Sequence, residues 1–409
     1  MKKQKTYTPP KKILENYAKV LVHFGLSKGK GMKGGDVVVV SGNEASKPLY
    51  AEVLHEIWKS GGHVIQKYAP TNEKYFSFDK TFYECAQEHQ LDHFPRKYMK
   101  GLADESDHSI FIIAETDKMS LKKIDPGKIM QKTKSHKPYK DWRKKKENEG
   151  MFSWTLCLYG TPEMAKEARL TQKAYWDQII QACYLDHKDP VNKWNEVQKQ
   201  MDDIIKKMDK LKAEKFHIEG EDVDLWITLG EKRKWIGGRG CNIPSFEIFT
   251  SPDWRGTEGW IRFNQPLYVY GNLIEGVELE FIGGRVVRSS AKKNHKVLKS
   301  MIETEGADKV GEFSLTDKRF SHITKFMAET LYDENAGGEY GNTHIALGSS
   351  YHDCYKGDSS KMKKGDWKKL GFNDSVIHTD IVSTTDRTVT AHFKNGKKQV
   401  IYKNGRFVI

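Results

Sequence analysis

The chain has 409 residues, of which 30% are charged and 37% hydrophobic, and its formal net charge is +13. These values exclude an intrinsically disordered chain and a fibrous protein, and they predict a soluble globular protein of two or three domains. A chain of this length can build hydrophobic cores without disulfide staples.

The cysteines and the apolar runs predict a cytoplasmic protein without membrane contact. No run approaches the roughly 20 apolar residues that span a bilayer, and no signal-peptide core follows the basic N-terminus. The cysteines are odd in number and form no CxxC pair, which argues against a disulfide framework or a thiolate zinc site. They are Cys85, Cys157, Cys183, Cys241 and Cys354.

The positive charge raises the question of nucleic-acid binding. Its densest block is "HKPYKDWRKKKENEG", residues 136–150, and elsewhere lysines are mixed with acids. The sequence holds no recognisable RNA-binding or DNA-binding motif. A lysine-rich solvated surface is therefore the favoured interpretation, with residues 136–150 as a solvated loop. Nucleic acid is an unlikely partner, although a basic nucleic-acid-binding protein stays a rival hypothesis.

Strand and helix patterns alternate in the first half. "DVVVVSG" is a continuous β-branched run, typical of a strand covered on both faces of a parallel sheet. The next segment, residues 43–62, has a helical apolar face and ends at Gly61-Gly62. The strand "HVIQKY" completes a βαβ unit. Further strands are predicted at 109–115 and 151–160, and one helix is predicted over 162–184.

A long helix is predicted to bridge the two halves, over residues 191–213. Its apolar residues recur at steps of three and four, on one face. These residues are Trp194, Val197, Met201, Ile204, Met208 and Leu211. We place the domain boundary near Gly220, which gives an α/β domain with a mostly parallel sheet (1–220) and a β-rich α+β domain (221–409).

The second half carries strand alternation and glycine turns. Asn395-Gly396 and Asn404-Gly405 predict type I′ hairpins, and one or two helices are expected around residues 321–331. Charged residues interrupt its apolar stretches at positions where strands or tight loops should be apolar. They are Glu247, Glu312, Glu334, His344, His378 and Asp380, and Tyr351 lies in the same region.

The pair His378 and Asp380 gives the clearest chemical signal. Residues i and i+2 of a strand share a face, so an imidazole and a carboxylate lie side by side, as divalent metals require. Several acids in one apolar region repel each other unless cations compensate them. Carboxylate-rich sites with imidazoles suit zinc, cobalt or manganese, and enough carboxylates to bridge indicate two ions.

Each of these residues also has a structural interpretation without a metal. Glu247 and Glu312 could pair with arginines such as Arg255 or Arg262. His344 could be a hydrogen-bonded core histidine, Tyr351 a packing residue and Glu334 a turn residue. Glu339, an alternative acid, lies in a glycine-rich insertion and looks solvated.

Several ordered motifs resemble the thermophilic-type metalloaminopeptidases, the aminopeptidase T and aminopeptidase S family. They are "NIPSFEIFTSP", "IRFNQPLYVYGNLIEGVELEF", "LYDEN", "HIALGSSY" and "NDSVIHTDIV". The resemblance covers most of the chain. It implies a homodimer in which a metal-activated water molecule hydrolyses the N-terminal residue from peptides with a free N-terminus.

Carried over by position, the resemblance implies a two-metal site with Glu247, Glu312, Glu334, His344, His378 and Asp380 as ligands. It implies catalytic roles for Tyr351, Glu247 and Glu312, and Arg262 is a candidate partner of the oxyanion. Two features depart from the family pattern: Phe246 replaces a small residue beside Glu247, and the insertion "AGGEYGN" leaves the choice between Glu334 and Glu339 open. A metallohydrolase of another amide or an ester is the nearest alternative function.

Overall fold

The computed structural model describes residues 7–73 and 76–409, and its first half is a parallel α/β unit. The strands are β1 (Val37–Asn43), β2 (His63–Ala69), β3 (His108–Ile113) and β4 (Ser153–Leu158). The helices are α1 (Lys11–Val20), α2 (Lys47–Lys59), α3 (Phe78–Cys85), α4 (Glu88–Leu91), α5 (Arg96–Glu105), α6 (Pro126–Ser135), α7 (Lys137–Asn148), α8 (Pro162–Glu167), α9 (Gln172–Ala182) and α10 (Pro190–Leu211).

The strands of the second half are antiparallel to their neighbours, except for Asn242–Ile243, which runs parallel to β4. They are β5 (Lys215–Gly220), β6 (Val223–Thr228), β7 (Ile236–Gly237), β8 (Asn242–Ile243), β9 (Glu247–Thr250), β10 (Glu258–Arg262), β11 (Leu267–Val269), β12 (Asn272–Ile274), β13 (Glu278–Ile282), β14 (Arg285–Ser290), β15 (Val310–Thr316), β16 (Asn342–Gly348), β17 (His378–Ser383), β18 (Thr388–His392), β19 (Lys398–Lys403) and β20 (Arg406–Phe407). The helices are α11 (His295–Ile302), α12 (Thr330–Asp333) and α13 (Lys364–Lys369).

Three larger sheets organise these strands. The first is parallel, in the order β2-β1-β3-β4-β8. The second is antiparallel, in the order β14-β13-β10-β6-β5-β18-β19-β20. The third, which we call the catalytic sheet, has the order β17-β16-β15-β9-β7. The predicted fold class, a parallel α/β half followed by a β-rich α+β half, is confirmed.

Helix α10 contacts both halves. It packs against α1 of the first half and β7 of the second, and it buries Trp194, Val197, Met201 and Met208 as predicted. The predicted apolar face included Ile204, but in the structure Ile204 is only half-buried and the neighbouring Ile205 is buried instead. The division near Gly220 stays a prediction, since β8 joins the first sheet and one apolar core includes residues of both halves.

Two predicted helices differ from the structure. The single helix expected over 162–184 is two helices, because Arg169 adopts a left-handed backbone with φ of 57° and Thr171 caps the start of α9 through the N–H of Ala174. Around 321–331 only α12 forms, at Thr330, and the preceding segment is irregular.

The hairpin prediction is right at one turn and wrong at the other. Asn404 and Gly405 both have positive φ, as a type I′ turn requires. At the other turn only Gly396 does, and the longer loop closes through hydrogen bonds between Phe393 and Lys397 and between Gly396 and Phe393.

The basic block of residues 136–150 is not a solvated loop, because most of it forms helix α7, which packs against the second half. Lys140 and Lys144 donate hydrogen bonds to the carbonyl oxygens of Val376 and Ser350. Lys146 donates to carbonyl oxygens in and just after α5. Among the described helices, none is long and apolar enough to cross a membrane.

Candidate metal centre

Four adjacent strands of the catalytic sheet bring the predicted residues together. Glu247 begins β9, Glu312 lies on β15, His344 on β16, and His378 and Asp380 on β17. The strand register places all five on one face, because each strand contributes positions of the same parity.

Small residues separate the functional side chains on this face. Ala346 lies between Glu312 and Asp380 in the cross-strand row, and Ser314 is paired with His344. A larger side chain at Ala346 would fill the space in which the two carboxylates converge. The face therefore alternates chemically active residues with spacers.

A β-bulge directs Glu312 into the group. The register shifts between Val310 and Glu312, with Gly311 at the irregular position. A Cβ atom at Gly311 would lie 2.5 Å from the carbonyl oxygens of Gly348 and Ser349. Only glycine fits there without displacing the backbone that leads to Tyr351.

The imidazoles and carboxylates form two overlapping groups. Nε2 of His344 lies 3.2 Å from Oε2 of Glu247 and 3.2 Å from Oε1 of Glu312. Nε2 of His378 lies 3.5 Å from Oε2 of Glu312 and 3.5 Å from Oδ1 of Asp380. Glu312 belongs to both groups, and within each group the candidate ligand atoms lie within 4.8 Å of one another.

Hydrogen bonds at the outer ring nitrogens orient both histidines. Nδ1 of His378 donates a hydrogen bond of 2.7 Å to the carbonyl oxygen of Ser349. Nδ1 of His344 lies 3.3 Å from Oδ1 of Asn342. Both contacts occupy Nδ1 and direct Nε2 toward the carboxylates, which is the arrangement of metal-ligating histidines.

Glu334 and Tyr351 border the same cavity, whose volume is about 630 Å³. Glu334 is buried at the end of α12 and accepts a hydrogen bond from Nδ2 of Asn242 at 3.1 Å. The Tyr351 ring packs edge-on against His378, with 4.7 Å between ring centroids. The structure thus brings all seven predicted residues to one place.

Burial and mutual repulsion perturb these groups strongly. Burial raises the pKa of Glu247, and the nearby Glu312 carboxylate adds to it. Burial also raises the pKa of Glu334 far above its ordinary value, with Asp380 the next contributor. Burial, Glu312 and Asp380 together raise the pKa of Tyr351, so its phenol stays protonated and can donate a hydrogen bond.

The histidines offset part of this repulsion. Burial lowers the pKa of His344, but its hydrogen bonds to Glu247 and Glu312 outweigh burial and leave the pKa well above its ordinary value. Burial raises the pKa of Asp380, yet the adjacent His378 outweighs it and leaves that pKa lowered. Two imidazoles cannot balance the four carboxylates of the group.

Arginine pairing does not explain the buried acids. Arg255 pairs with Asp253, and Arg262 pairs with Glu278 on an exposed edge, with 54% of its side chain accessible. Arg262 lines a different cavity, so the prediction that it faces the oxyanion is wrong. Within residues 7–73 and 76–409, no lysine or arginine nitrogen lies within 4 Å of the four carboxylates.

The positions of Phe246 and Glu339 answer two questions that the sequence left open. Phe246 does not shape the cavity, because its ring stacks on Trp194 of α10 at 5.4 Å, on the opposite side of β9 from Glu247. Glu339 is exposed and does not line the cavity, whereas Glu334 is buried and does.

Sequence reasoning missed the residues that support the site. The Ser245 hydroxyl donates to Oε1 of Glu247 at 3.1 Å, and Asn242 and Asn342 hold Glu334 and His344. Asn242 and Ser245 flank "IP" in the motif that also holds Glu247, a signal that could have identified them. The cavity wall also receives Lys28, Glu147 and Trp154 from the first half, which no local pattern indicates.

The donor set therefore fits divalent metal: buried carboxylates around imidazoles, with Nε2 atoms directed inward. Such a set on a β-rich half, beside a parallel α/β half, defines a metal-dependent hydrolase. Residues 10–407 match the family described as thermophilic metalloprotease (M29), and the chain belongs to this family.

Similar proteins cover nearly the whole chain. Aminopeptidase AmpS of Bacillus subtilis is 26% identical over 417 aligned residues, covering 96% of this chain and 98% of the relative. Aminopeptidase T of Thermus thermophilus is 25% identical, covering 98% and 99%. The solved structure of wild-type AmpT from Thermus thermophilus has a TM-score of 0.80 at 22% identity, covers 98% of this chain and 100% of that chain, and supports the fold. The predicted family and the enzyme class, a metal-dependent peptidase, are confirmed.

Proposed function

We propose that this protein is an aminopeptidase that removes N-terminal residues from peptides by means of two divalent metal ions, zinc, cobalt or manganese. The observation that carries the proposal is the convergence of four carboxylates and two imidazoles at the end of a cavity. Family membership supplies the reaction class, and the names of the full-length relatives indicate the exopeptidase activity.

The number of ions follows from charge. The four carboxylates carry four negative charges when ionised, and two divalent cations match them while both imidazoles stay neutral. Glu312 belongs to both groups of candidate ligand atoms and would help to hold both ions. Glu247 and His344 lie on one side of it, and His378 and Asp380 lie on the other. Glu334 completes the ligand set.

The metal ions, when bound, would acidify a water molecule and polarise the scissile carbonyl group. The protein supplies the remaining steps. Tyr351, protonated at neutral pH, donates a hydrogen bond to the oxygen that gains negative charge. The Glu247 or Glu312 carboxylate accepts the proton from the attacking water and returns it to the leaving amine. A carboxylate oxygen of the cluster that does not contact a metal ion would accept a hydrogen bond from the α-ammonium group of the substrate.

The test combines metal analysis with hydrolysis of aminoacyl anilides. We expect the purified protein to contain about two divalent ions per chain, to hydrolyse leucyl or arginyl anilide, and to lose this activity to a strong chelator. Cobalt, zinc or manganese should restore it. Activity that resists strong chelation would contradict the two-metal proposal.

Substrate panels separate the aminopeptidase from the alternatives. Hydrolysis of esters or of N-blocked amides, with no action on free N-termini, would indicate a hydrolase of another bond. Tight binding to generic RNA with a steep salt dependence would favour the nucleic-acid hypothesis. The lysines of α7 that donate to carbonyl oxygens are less available for such binding.

The homodimer and the cytoplasmic location stay predictions. Light scattering of the purified chain tests the first, and fractionation of the source cells tests the second. A monomer at micromolar concentration would contradict the homodimer.

A further inference from the structure

A second cavity of about 1160 Å³ adjoins the metal centre on the side of the first half. The two cavities meet at Ile113, Trp154, Leu156 and Glu329, which line both. The residues that follow the N-terminus of a peptide held among the carboxylates would therefore lie next to the second cavity.

The floor of the second cavity is an uncovered face of the parallel sheet. Parallel sheets are normally covered on both faces, but here the face with Phe111 of β3 and Trp154 and Leu156 of β4 is open. Phe111 is 46% exposed, and the two residues of β4 are half-buried. An open apolar strip next to a catalytic site suits the extended chain of a substrate.

Two cations line this cavity without an acidic partner. They are Lys67 on β2 and Arg143 on α7. Within the described ranges 7–73 and 76–409, no carboxylate oxygen lies within 4 Å of either side chain's nitrogens. Nε of Arg143 is buried and lacks a hydrogen-bond partner.

Aromatic rings rather than carboxylates surround the Arg143 guanidinium. The Arg143 guanidinium lies 4.6 Å from the Phe152 ring centroid and 5.7 Å from that of Tyr139. Burial lowers the pKa of Lys67, and repulsion from Arg143 lowers it further. Other lysines of α7 are engaged, as in the pair between Lys137 and Asp141.

We propose that the second cavity binds the part of the substrate that follows the scissile bond, and that Lys67 and Arg143 bind a carboxylate of that part. The carboxylate is either the C-terminus of a short peptide or the side chain of an aspartate or glutamate. This inference rests on the proposed aminopeptidase function and adds a preference for the downstream end of the substrate.

The test with the wild-type enzyme uses leucyl-glycine peptides of increasing length, each as the free acid and as the C-terminal amide. At one length we expect the free acid to have a kcat/KM about tenfold above that of the amide, as for a charge-assisted hydrogen bond. An amidated peptide with glutamate at that position distinguishes the sources: recovery indicates side-chain recognition, and no recovery indicates the C-terminus. Equal kcat/KM values at every length, with no effect of glutamate, would overturn the inference.

Variants assign the preference to the two cations. Lys67→Met and Arg143→Met should each reduce the acid-to-amide ratio of kcat/KM toward one, and Arg143→Lys should retain part of it. Lys145→Met is the matched control, because its side chain is 77% exposed on the same helix and lines neither cavity. An unchanged ratio in both methionine variants would refute the assignment. Should Arg143→Met not fold, Lys67→Met decides the question alone.

Leucyl anilide keeps the two proposals separate, because it lacks downstream residues. If the metal-loaded wild-type enzyme hydrolyses neither anilide nor peptides, the proposed function fails. If it hydrolyses both but shows no preference for a carboxylate, only the present inference fails.

Discussion

The parallel sheet and the catalytic sheet use burial in opposite ways. In the parallel sheet the buried positions of β1 are apolar, with Val38, Val39 and Val40 at most 3% exposed, and one face of the sheet opens on a cavity. In the catalytic sheet β15 and β16 are buried at every position, yet they carry Glu312 and His344. A charged residue inside a fully buried strand is costly, so it indicates a ligand more strongly than any pattern in the parallel sheet does.

The largest effect is expected on activity, when a candidate metal ligand of the catalytic sheet is removed. Glu312→Gln removes the carboxylate shared by both groups of ligand atoms, and His378→Ala removes an imidazole. Each should lower kcat/KM for leucyl anilide by roughly 10³-fold, because the metal centre contributes several kcal/mol to the transition state. Far-UV circular dichroism should show that both variants keep the fold. Full activity after chelation and metal re-addition would contradict the assignment.

The second-largest effect is expected on stability, at the buried aromatic residue that precedes Glu247 and β9. Phe246→Ala removes a fully buried ring that stacks on Trp194, and should lower the free energy of unfolding by about 3–5 kcal/mol. Denaturant unfolding measures this loss, and Phe246→Leu, which retains more volume, should lose less. A stable Phe246→Ala variant with altered substrate preference would instead show that Phe246 shapes the cavity.

A smaller effect is expected at the bulge. Gly311→Ala places a Cβ atom against the carbonyl oxygens of Gly348 and Ser349, so we expect a loss of about 1–3 kcal/mol in stability and a lower kcat. Gly365→Ala is the control, because nothing lies within 4 Å of a Cβ atom there. Equal stability and activity of the two variants would show that the bulge tolerates a side chain.

The smallest effect is expected from the contacts by which residues of the first half hold a loop of the second half. Lys144 donates to the carbonyl oxygen of Ser350 at 3.2 Å, Asn148 contacts Nδ1 of His352 at 3.1 Å, and Lys28 pairs with Asp353 at 2.9 Å. These contacts hold the loop that carries Tyr351. Lys144→Met should lower kcat about tenfold with little change in KM, and Lys144→Arg should recover part of it. A change in KM alone would indicate a binding role instead.

Much of the fold was predictable because its signals are local. The alternation of β-branched runs with helical faces predicted the parallel half, and the i, i+2 spacing of His378 and Asp380 predicted their shared face. The break after Glu167 was not predictable from apolar periodicity, because it depends on the backbone of Arg169 and the cap at Thr171.

The sequence indicated which residues form the candidate site, but it did not indicate how the fold brings them together. Charged residues in apolar stretches and the family motifs identified the acids and histidines. The register that makes Ala346 a spacer, and the cavity wall contributed by Lys28 and Trp154, arise from contacts between distant segments. The wrong prediction for Arg262 has the same origin. Arg262 pairs with Glu278 on the neighbouring strand β13 of the second sheet, and this pairing joins segments that are distant in sequence.

The crowding of four acids, three on one sheet face and Glu334 at the end of α12, has a consequence for thermal stability. Without counter-ions these carboxylates repel one another inside the fold, whereas the unfolded chain separates them. Under the proposed assignment, bound metal stabilises only the folded state, so the melting temperature should rise with free metal concentration. The same cluster would then serve both catalysis and thermal stability. A shortage of metal would make the folded enzyme less stable as well as inactive.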